Sequence, residues 1–573
     1  MKYQIHIQDR HYSHWSFSDE NNQETVPLLD ETFHPVTYKL FHQDTFEIEK
    51  GIPVHIESQY NDSKLLTGVL LLSNGQTYGR TQNNRLFYKC IPHDHFLPEF
   101  LVPYDQQLGF SKAIQNKYVL FTFKNWESKH PQGILKETLG NVNELPVFYE
   151  YILHSKQLHY SLNQMNKRLK VDLKEKPMNS QLETILDTPA YTIRDKREQC
   201  YVYSIDPQGS TDLDDAFSCQ QLEENPEHYR VCVYISNVFI WLEHLQLWPS
   251  LSQRVSTIYF PDKKRTMLPT LFSEDWFSLL EKKDRLAFTM ELIVHENGTI
   301  IEDSLQFYCS LVNLKKNFAY DEPKLLKNKH YNKLEKLTKK MDTTIQDSHD
   351  VVSFWMIKMN VLCAEQLASK QTGIFRSSSM KNKNIGQEFE KHNIDNNTKQ
   401  MLTHWNNVSC NYTMFEEGNL NHSLMNQDHY VHITSPIRRL VDVLNQIAFY
   451  KSVLQYPVSA SANQFYLHWT EHLPFLNDSM KSIRKVQNEC SLLYTFYNHP
   501  DIQNEEIHGV LFHHTWKDGQ HVYQTYLSKY NMMSTLKTST ELELFTPYLF
   551  RVFLFEDEHV SKRKIRIQII VNE

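Results

Sequence analysis

The sequence predicts a multidomain protein with an α/β (α+β) core flanked by small β-barrels. Three observations carry this. The chain has 573 residues, enough for about four domains. Short alternating apolar runs split by turn signals fill residues 1 to about 185 and return in the last 70 or so. Between them, from about 186 to 500, strand-like and helix-like segments mix.

In the first region, Leu65 to Leu72 runs into Ser73-Asn74-Gly75, and Tyr118 to Phe123 into Lys124-Asn125. Alternation closed by such turn residues marks antiparallel strands. Two barrels of the oligonucleotide-binding (OB) type fit the length, and a sandwich satisfies the same pattern. A boundary is placed at Leu101-Val102-Pro103-Tyr104, giving 1–104 and 105–185. The core, 186–500, holds strands such as Arg230 to Ile235 and helices such as Val352 to Ser369. Such a mixture implies a layered core. The last segment, 501–573, offers strands at His508 to His513, His521 to Leu527 and Ile565 to Val571, one more small barrel.

Composition narrows the function classes. A hydrophobic fraction of 40% and an aromatic fraction of 13% exclude global disorder. A net charge of −8 means that any nucleic-acid contact comes from local patches. The eight cysteines form no C-x-x-C pair and no dense framework, so they read as reduced core residues. The most apolar stretch, Val231 to Leu242, is too short to span a bilayer, and the start has no signal-peptide core, so no membrane association is expected and the location is intracellular, the cytoplasm. Lysine runs at Lys324 to Lys340 and Lys562-Arg563-Lys564 read as solvated faces or tails.

Chemistry concentrates in two segments. Ser204 to Phe217 places Asp206, Asp212, Asp214 and Asp215 within ten residues, beside apolar positions. Carboxylates so crowded repel one another unless neutralised, and a hard divalent cation with oxygen ligands, magnesium above all, is the usual solution. A solvated acidic loop is the plain alternative. An EF-hand calcium loop fails, because Ala216 and Phe217 stand where an oxygen ligand and a glycine are required. The second segment, His432 to Leu440, puts Arg438 and Arg439 before apolar residues at helical spacing. A guanidinium fork grips phosphate by two hydrogen bonds, and helix amides assist it. Taken alone, such a pair is more often a surface ion-pair site.

Together these segments resemble the signature blocks of the RNB family, the ribonuclease II and ribonuclease R group of exoribonucleases. Further blocks agree in order: Arg254 to Asp262 with Met267-Leu268-Pro269, Ser278-Leu279 to Phe288, Asn360 to Ala368, and Gly373-Ile374-Phe375-Arg376. Lys117 to Leu120 and Asn125 to Gly133 are similar to the second cold-shock barrel of the eukaryotic branch, that of the exosome catalytic subunit. The resemblance is strong from about 117 to 450 and weak at both ends.

The resemblance implies two cold-shock-like barrels, an RNB catalytic domain and an S1-like barrel. It implies processive 3′→5′ hydrolysis of single-stranded RNA to nucleoside 5′-monophosphates, with Mg2+ as cofactor and Mn2+ as a substitute. Asp206, Asp212, Asp214 and Asp215 would hold the metal, Asp214 being the most critical. Arg438 would stabilise charge on the phosphate, Arg439 would bind RNA or support structure, and Tyr259 would stack on bases near the 3′ end. A monomer acting without an exosome-type tether is expected, since no PIN-type endonuclease domain precedes the first barrel. Three positions depart from the family: Asn237 replaces a carboxylate, and Ser378 and Gln446 replace histidines. They suggest a divergent, even viral, lineage. The alternative is a catalytically silent RNA-binding relative, and a scaffold role in an RNA-decay assembly is a third reading. Silent relatives typically lose active-site aspartates, whereas all four are present here.

Overall fold

A computed structural model describes the chain except residues 62, 106–113, 176, 379–391, 393, 407–409, 416–419, 421–426, 518, 558–561 and 571–573. Val571, expected to close the last strand, lies outside the described residues.

Three five-stranded β-units share one topology. The first comprises Tyr3–Ile7, Trp15–Asp19, Glu24–Thr25, Thr45–Glu49 and Ile52–Glu57. The second comprises Leu66–Leu70, Leu86–Pro92, Phe100–Tyr104, Lys117–Asn125 and Gln132–Asn141. The third comprises Ile507–Lys517, Gln520–Leu527, Met532–Thr538, Pro547–Asp557 and Lys562–Ile570. In each, the strands lie in the order third, second, first, fourth, fifth, and the second unit closes into a barrel. This is the OB arrangement. In the first strands of the second and third units, glycine allows the backbone to pack closely on its neighbours. A Cβ on Gly68 would come within 2.9 Å of the Ile91 carbonyl oxygen, and one on Gly509 within 2.9 Å of the Phe550 ring.

The boundary expected at residue 104 falls inside the second barrel, because Phe100–Tyr104 is its third strand. Pro103 lies opposite Phe87 on one side. On the other side the closing pair is Gln132 with Leu101 alone, so the missing proline N–H breaks no ladder there. The second unit also ends earlier than 185. The helices Leu145–Ser155 and Met178–Leu186 turn Phe148, Ile152, Leu182 and Ile185 into the large apolar core of the next domain.

That domain is built on a six-stranded sheet in the order Ile193–Asp195, Gln306–Ala319, Val202–Asp206, Asp215–Gln221, His228–Ser236, Asp284–His295. The 14-residue strand Gln306–Ala319 pairs at one end with Asp284–His295 and at the other with Val202–Asp206, so the sheet curls back on itself. Helices Ser348–Ser369, Leu440–Ser452 and Leu473–Asn498 pack into the same core. The lysine run forms Pro323–Leu326 and Lys329–Met341, burying Leu325, Tyr331, Leu334 and Leu337, with its lysines outward. Among the described residues no helix is long and apolar enough to cross a membrane.

Candidate active site

The aspartates occupy a hairpin. Val202–Asp206 and Asp215–Gln221 are antiparallel, with Tyr203 opposite Phe217, so Asp206 and Asp215 meet at one rim of the sheet. The connection turns at Pro207–Ser210, where the Ser210 N–H donates to the Pro207 carbonyl and Gly209 supplies a φ of +82°. Ser278 then ties the loop down. Its hydroxyl accepts the Leu213 N–H at 3.0 Å and donates to the Thr211 carbonyl at 2.9 Å.

The arginine segment arrives from the far end of the sequence. The Arg438 carbonyl accepts the Thr257 N–H at 2.9 Å, the Leu440 N–H reaches the Val255 carbonyl at 2.9 Å, and Ser256 bridges Arg439. This fastens the segment to the strand leading into Tyr259. Buried amides shape the rest: Asn360 accepts the Ile433 N–H at 3.0 Å, and Asn445 donates to the His432 carbonyl at 2.9 Å.

The four carboxylates differ in what they touch. Asp214, 2% exposed, accepts the Ile437 N–H at 2.8 Å on one oxygen and the Arg438 Nε–H at 3.3 Å on the other. Asp212 accepts the Tyr259 hydroxyl at 2.9 Å and the Lys264 ammonium at 2.8 Å. Asp206 and Asp215 each bury an Oδ2 with no hydrogen-bond partner. Burial raises Asp214 to about 7, opposed by Arg438. It raises Asp206 to about 6, opposed by Ser204 and Arg438. Asp215 is raised too, by burial and then by the charges of Asp206 and Asp214.

Two orphaned, buried carboxylate oxygens at one rim are what an oxygen-seeking divalent cation would satisfy, so the donor set fits such an ion at Asp206 and Asp215. Asp212 and Asp214 are already engaged by protein donors. Accordingly the four do not converge as a tight set. Among the described residues, the trio of possible ligands with donor atoms all within 4.8 Å of one another is Asp347, His349 and Asp350, of which His349 packs against Tyr320, the residue whose N–H holds the Asp206 carbonyl.

Arg438 and Arg439 part company. The Arg438 side chain is 45% exposed and gives a second bond, to the Ser435 hydroxyl at 3.0 Å. A guanidinium has five N–H donors, so three remain for a ligand. Arg438 lines a cavity of about 310 Å³ together with Tyr259, Arg376, Tyr412, Arg484 and Gln487. Arg439 pairs at 2.8 Å with Asp442, which is fully buried and also accepts the Ser435 N–H. Tyr259 has 42% of its surface exposed, so core packing does not explain it.

Of the three departures, two lie side by side in the interior. Asn237 caps Val238–His244 through the Ile240 N–H and donates to the Tyr450 hydroxyl at 2.6 Å. Gln446 donates to the Ser236 carbonyl and accepts the Phe239 N–H. The neighbouring Ser236 N–H in turn holds the Asp214 carbonyl at 2.8 Å. Both amides are thus satisfied and sit behind the site. Ser378 is buried. Sequence reasoning missed Lys264 and Asp442. Lys264 falls between the two halves of the Arg254 to Pro269 block and Asp442 just beyond the Arg438 segment, and the place of Lys264 emerges only from its pairing with Tyr259 and its bond to Asp212.

These features define a multidomain OB-fold protein with a carboxylate–arginine centre at the rim of its core sheet. Comparison with known proteins agrees. A model of the RNB domain matches residues 193–346 and 324–455, and one of the Dis3-like cold-shock domain 2 (CSD2) matches 87–157. Residues 193–455 thus match the RNB domain, with a Dis3-like cold-shock domain ahead of it. It is 27% identical over 306 residues to DIS3-like exonuclease 2 of Xenopus tropicalis, which covers 52% of this chain and 34% of that protein. The match therefore spans about a third of the length of that curated relative. The fold is that of Mycoplasma genitalium RNase R in complex with ribose methylated single-stranded RNA, with a TM-score of 0.70 and 14% identity over 100% of both chains. It is also similar to yeast Ssd1, a pseudonuclease, with a TM-score of 0.58 and 13% identity over 85% of this chain and 66% of that one.

Proposed function

We propose that the chain is a processive 3′→5′ exoribonuclease that hydrolyses single-stranded RNA to nucleoside 5′-monophosphates, with magnesium at Asp206 and Asp215. The observation that carries this is the clasp of Asp214 on Ile437 and Arg438, which joins two distant segments beside two unsatisfied carboxylate oxygens.

Each residue has a part. When bound, the cation polarises the phosphoryl oxygen, lowers the pKa of water and stabilises the leaving 3′-oxygen. Asp214 fixes the Arg438 guanidinium by its Nε–H, leaving donors beside the cavity that Arg438 lines, where they meet the charge that develops on the phosphate. Burial works against the charge on Arg438, and Asp214, Tyr259 and Asp215 outweigh it, so the guanidinium stays protonated throughout. The Tyr259 ring offers a face to a terminal base, and its hydroxyl is anchored on Asp212. Stacking and backbone contacts tolerate any base, so sequence preference is slight.

The likeness to a pseudonuclease favours one second reading, an RNA-binding relative without turnover. Against it stand the retention of all four aspartates and the placing of Arg438 on Asp214. The test is a time course with magnesium on 5′-labelled linear RNA and its circular counterpart. Stepwise shortening from the 3′ end, with the circle surviving, is expected. Rapid cutting of circles contradicts an exonuclease, and the absence of any cleavage supports the silent reading.

A further inference from the structure

We infer that Lys264 is the built-in counter-ion of Asp212, so that the aspartate cluster takes up one divalent cation, at Asp206 and Asp215, and not a second one at Asp212. This rests on the reading of the site as a metal-dependent centre.

The argument is an account of donors and acceptors. The Lys264 ammonium has three N–H groups, and it meets three acceptors: the Thr211 hydroxyl, Asp212 Oδ1 at 2.8 Å and Glu274 Oε1 at 3.0 Å. Its side chain is only 20% exposed, and that of Asp212 only 8%. No N–H is left over for a phosphate, which separates Lys264 from an RNA-contacting lysine. The other oxygen of Asp212 takes the Tyr259 hydroxyl. Because Tyr259 and Lys264 face each other across a two-strand ladder, one hairpin delivers both donors to one carboxylate.

A divalent ion on Asp212 would crowd two donors already in place and stand beside an ammonium in a poorly solvated setting, where like charges repel strongly. Both oxygens of Asp214 are likewise engaged, by Ile437 and by the positively charged Arg438. The unmet demand for positive charge is therefore confined to Asp206 and Asp215. Lys264 is a positioning residue: it holds Asp212 in place, and through Asp212 it holds the Tyr259 hydroxyl.

The test counts Mn2+ bound to the full chain without RNA, by electron paramagnetic resonance. Ions are scored as specific when an Asp→Asn change in the cluster Asp206, Asp212, Asp214 and Asp215 removes them, because the Asp347, His349 and Asp350 trio is a second place for adventitious binding. The expected result is one ion in the wild type, lost in Asp206→Asn and kept in Asp212→Asn. Lys264→Met should gain a second ion, lost again when Asp212→Asn is added, while Lys264→Arg should behave as the wild type. A merely structural lysine would change stability without changing the count. A wild type that binds two ions, one of them lost in Asp212→Asn, overturns the inference even if Lys264→Met does not fold. So does a folded Lys264→Met that still binds one. If neither Asp206→Asn nor Asp215→Asn alters Mn2+ binding, the metal-site reading itself fails, a result distinct from either.

Discussion

The carboxylate of Asp214 accepts the backbone N–H of Ile437 at 2.8 Å, although the two residues lie 223 positions apart. The same side chain takes the Arg438 Nε–H, so one buried group sets both the course of the arginine segment and the aim of its guanidinium. Substitutions around this clasp should separate by what each side chain touches.

Tyr259→Ala removes a half-exposed ring and an anchor on Asp212, whereas Tyr259→Phe removes the anchor alone. Losing a stacked base costs about 1–3 kcal/mol. Tyr259→Ala should therefore weaken the grip on the 3′ end and change the length of the limit product, with Tyr259→Phe much closer to wild type. Gel resolution of end products checks this, and an unaltered ladder in Tyr259→Ala rules out the stacking role.

Arg438 and Arg439 are neighbours with opposite expected phenotypes. Arg439→Ala leaves the fully buried Asp442 without its counter-charge, with only the Ser435 N–H upon it, a change that typically costs about 3–5 kcal/mol. Arg438→Ala removes donors beside the cavity and should lower turnover about 10²–10³-fold. Thermal melts and single-turnover rates on both variants decide it. Equal losses of stability with equal losses of rate would contradict the assignment.

Metal removal should show a pH dependence with a definite sign. In the metal-free fold Asp206 is raised to about 6 and Asp214 to about 7, against about 3.9 in an unfolded chain. Below about pH 4 both states hold these protons. As pH climbs towards 7, the unfolded state releases them first, so the folded state loses stability across that window. A cation that binds the folded carboxylates restores stability at the upper end. The melting temperature in a chelator should thus fall from pH 5 to pH 8, and magnesium should raise it more at pH 8 than at pH 5. Asp206→Asn should flatten the difference. A larger magnesium effect at pH 5 would contradict the site.

Much of this was legible in the sequence, and the parts that were not share a cause. Asp206, Asp212, Asp214 and Asp215 stand within ten residues, so local spacing announced them, and Arg438 was visible as an arginine ahead of a helical pattern. The alternation of Tyr118 to Phe123 correctly marked a strand, Lys117–Asn125. Pro103, by contrast, looks like a break from sequence, and only the closure of the barrel explains why a proline is tolerated there. The division of labour among the aspartates was equally hidden. It depends on Lys264, Tyr259 and Ile437 arriving from 47 to 223 residues away, a distance over which spacing carries no signal. Arg439 was hidden for another reason: its partner Asp442 is three residues on, but is buried because residues 440–450 of the helix Leu440–Ser452 are.

The most direct test of the central claim is Asp214→Asn, assayed beside the wild type at equal RNA occupancy. The amide oxygen can still accept the Ile437 N–H, and neutralising a carboxyl that burial already raises to about 7 should leave folding intact. RNA affinity should be kept or slightly raised, because a repulsive charge is gone while Arg438 and the cavity remain. Hydrolysis should collapse, by about 10³-fold or more, because Arg438 loses the charge that holds it and the aspartate rim loses part of its negative field. A variant that binds RNA as the wild type does and no longer shortens it is the predicted result. A variant that hydrolyses RNA at the wild-type rate would contradict the account.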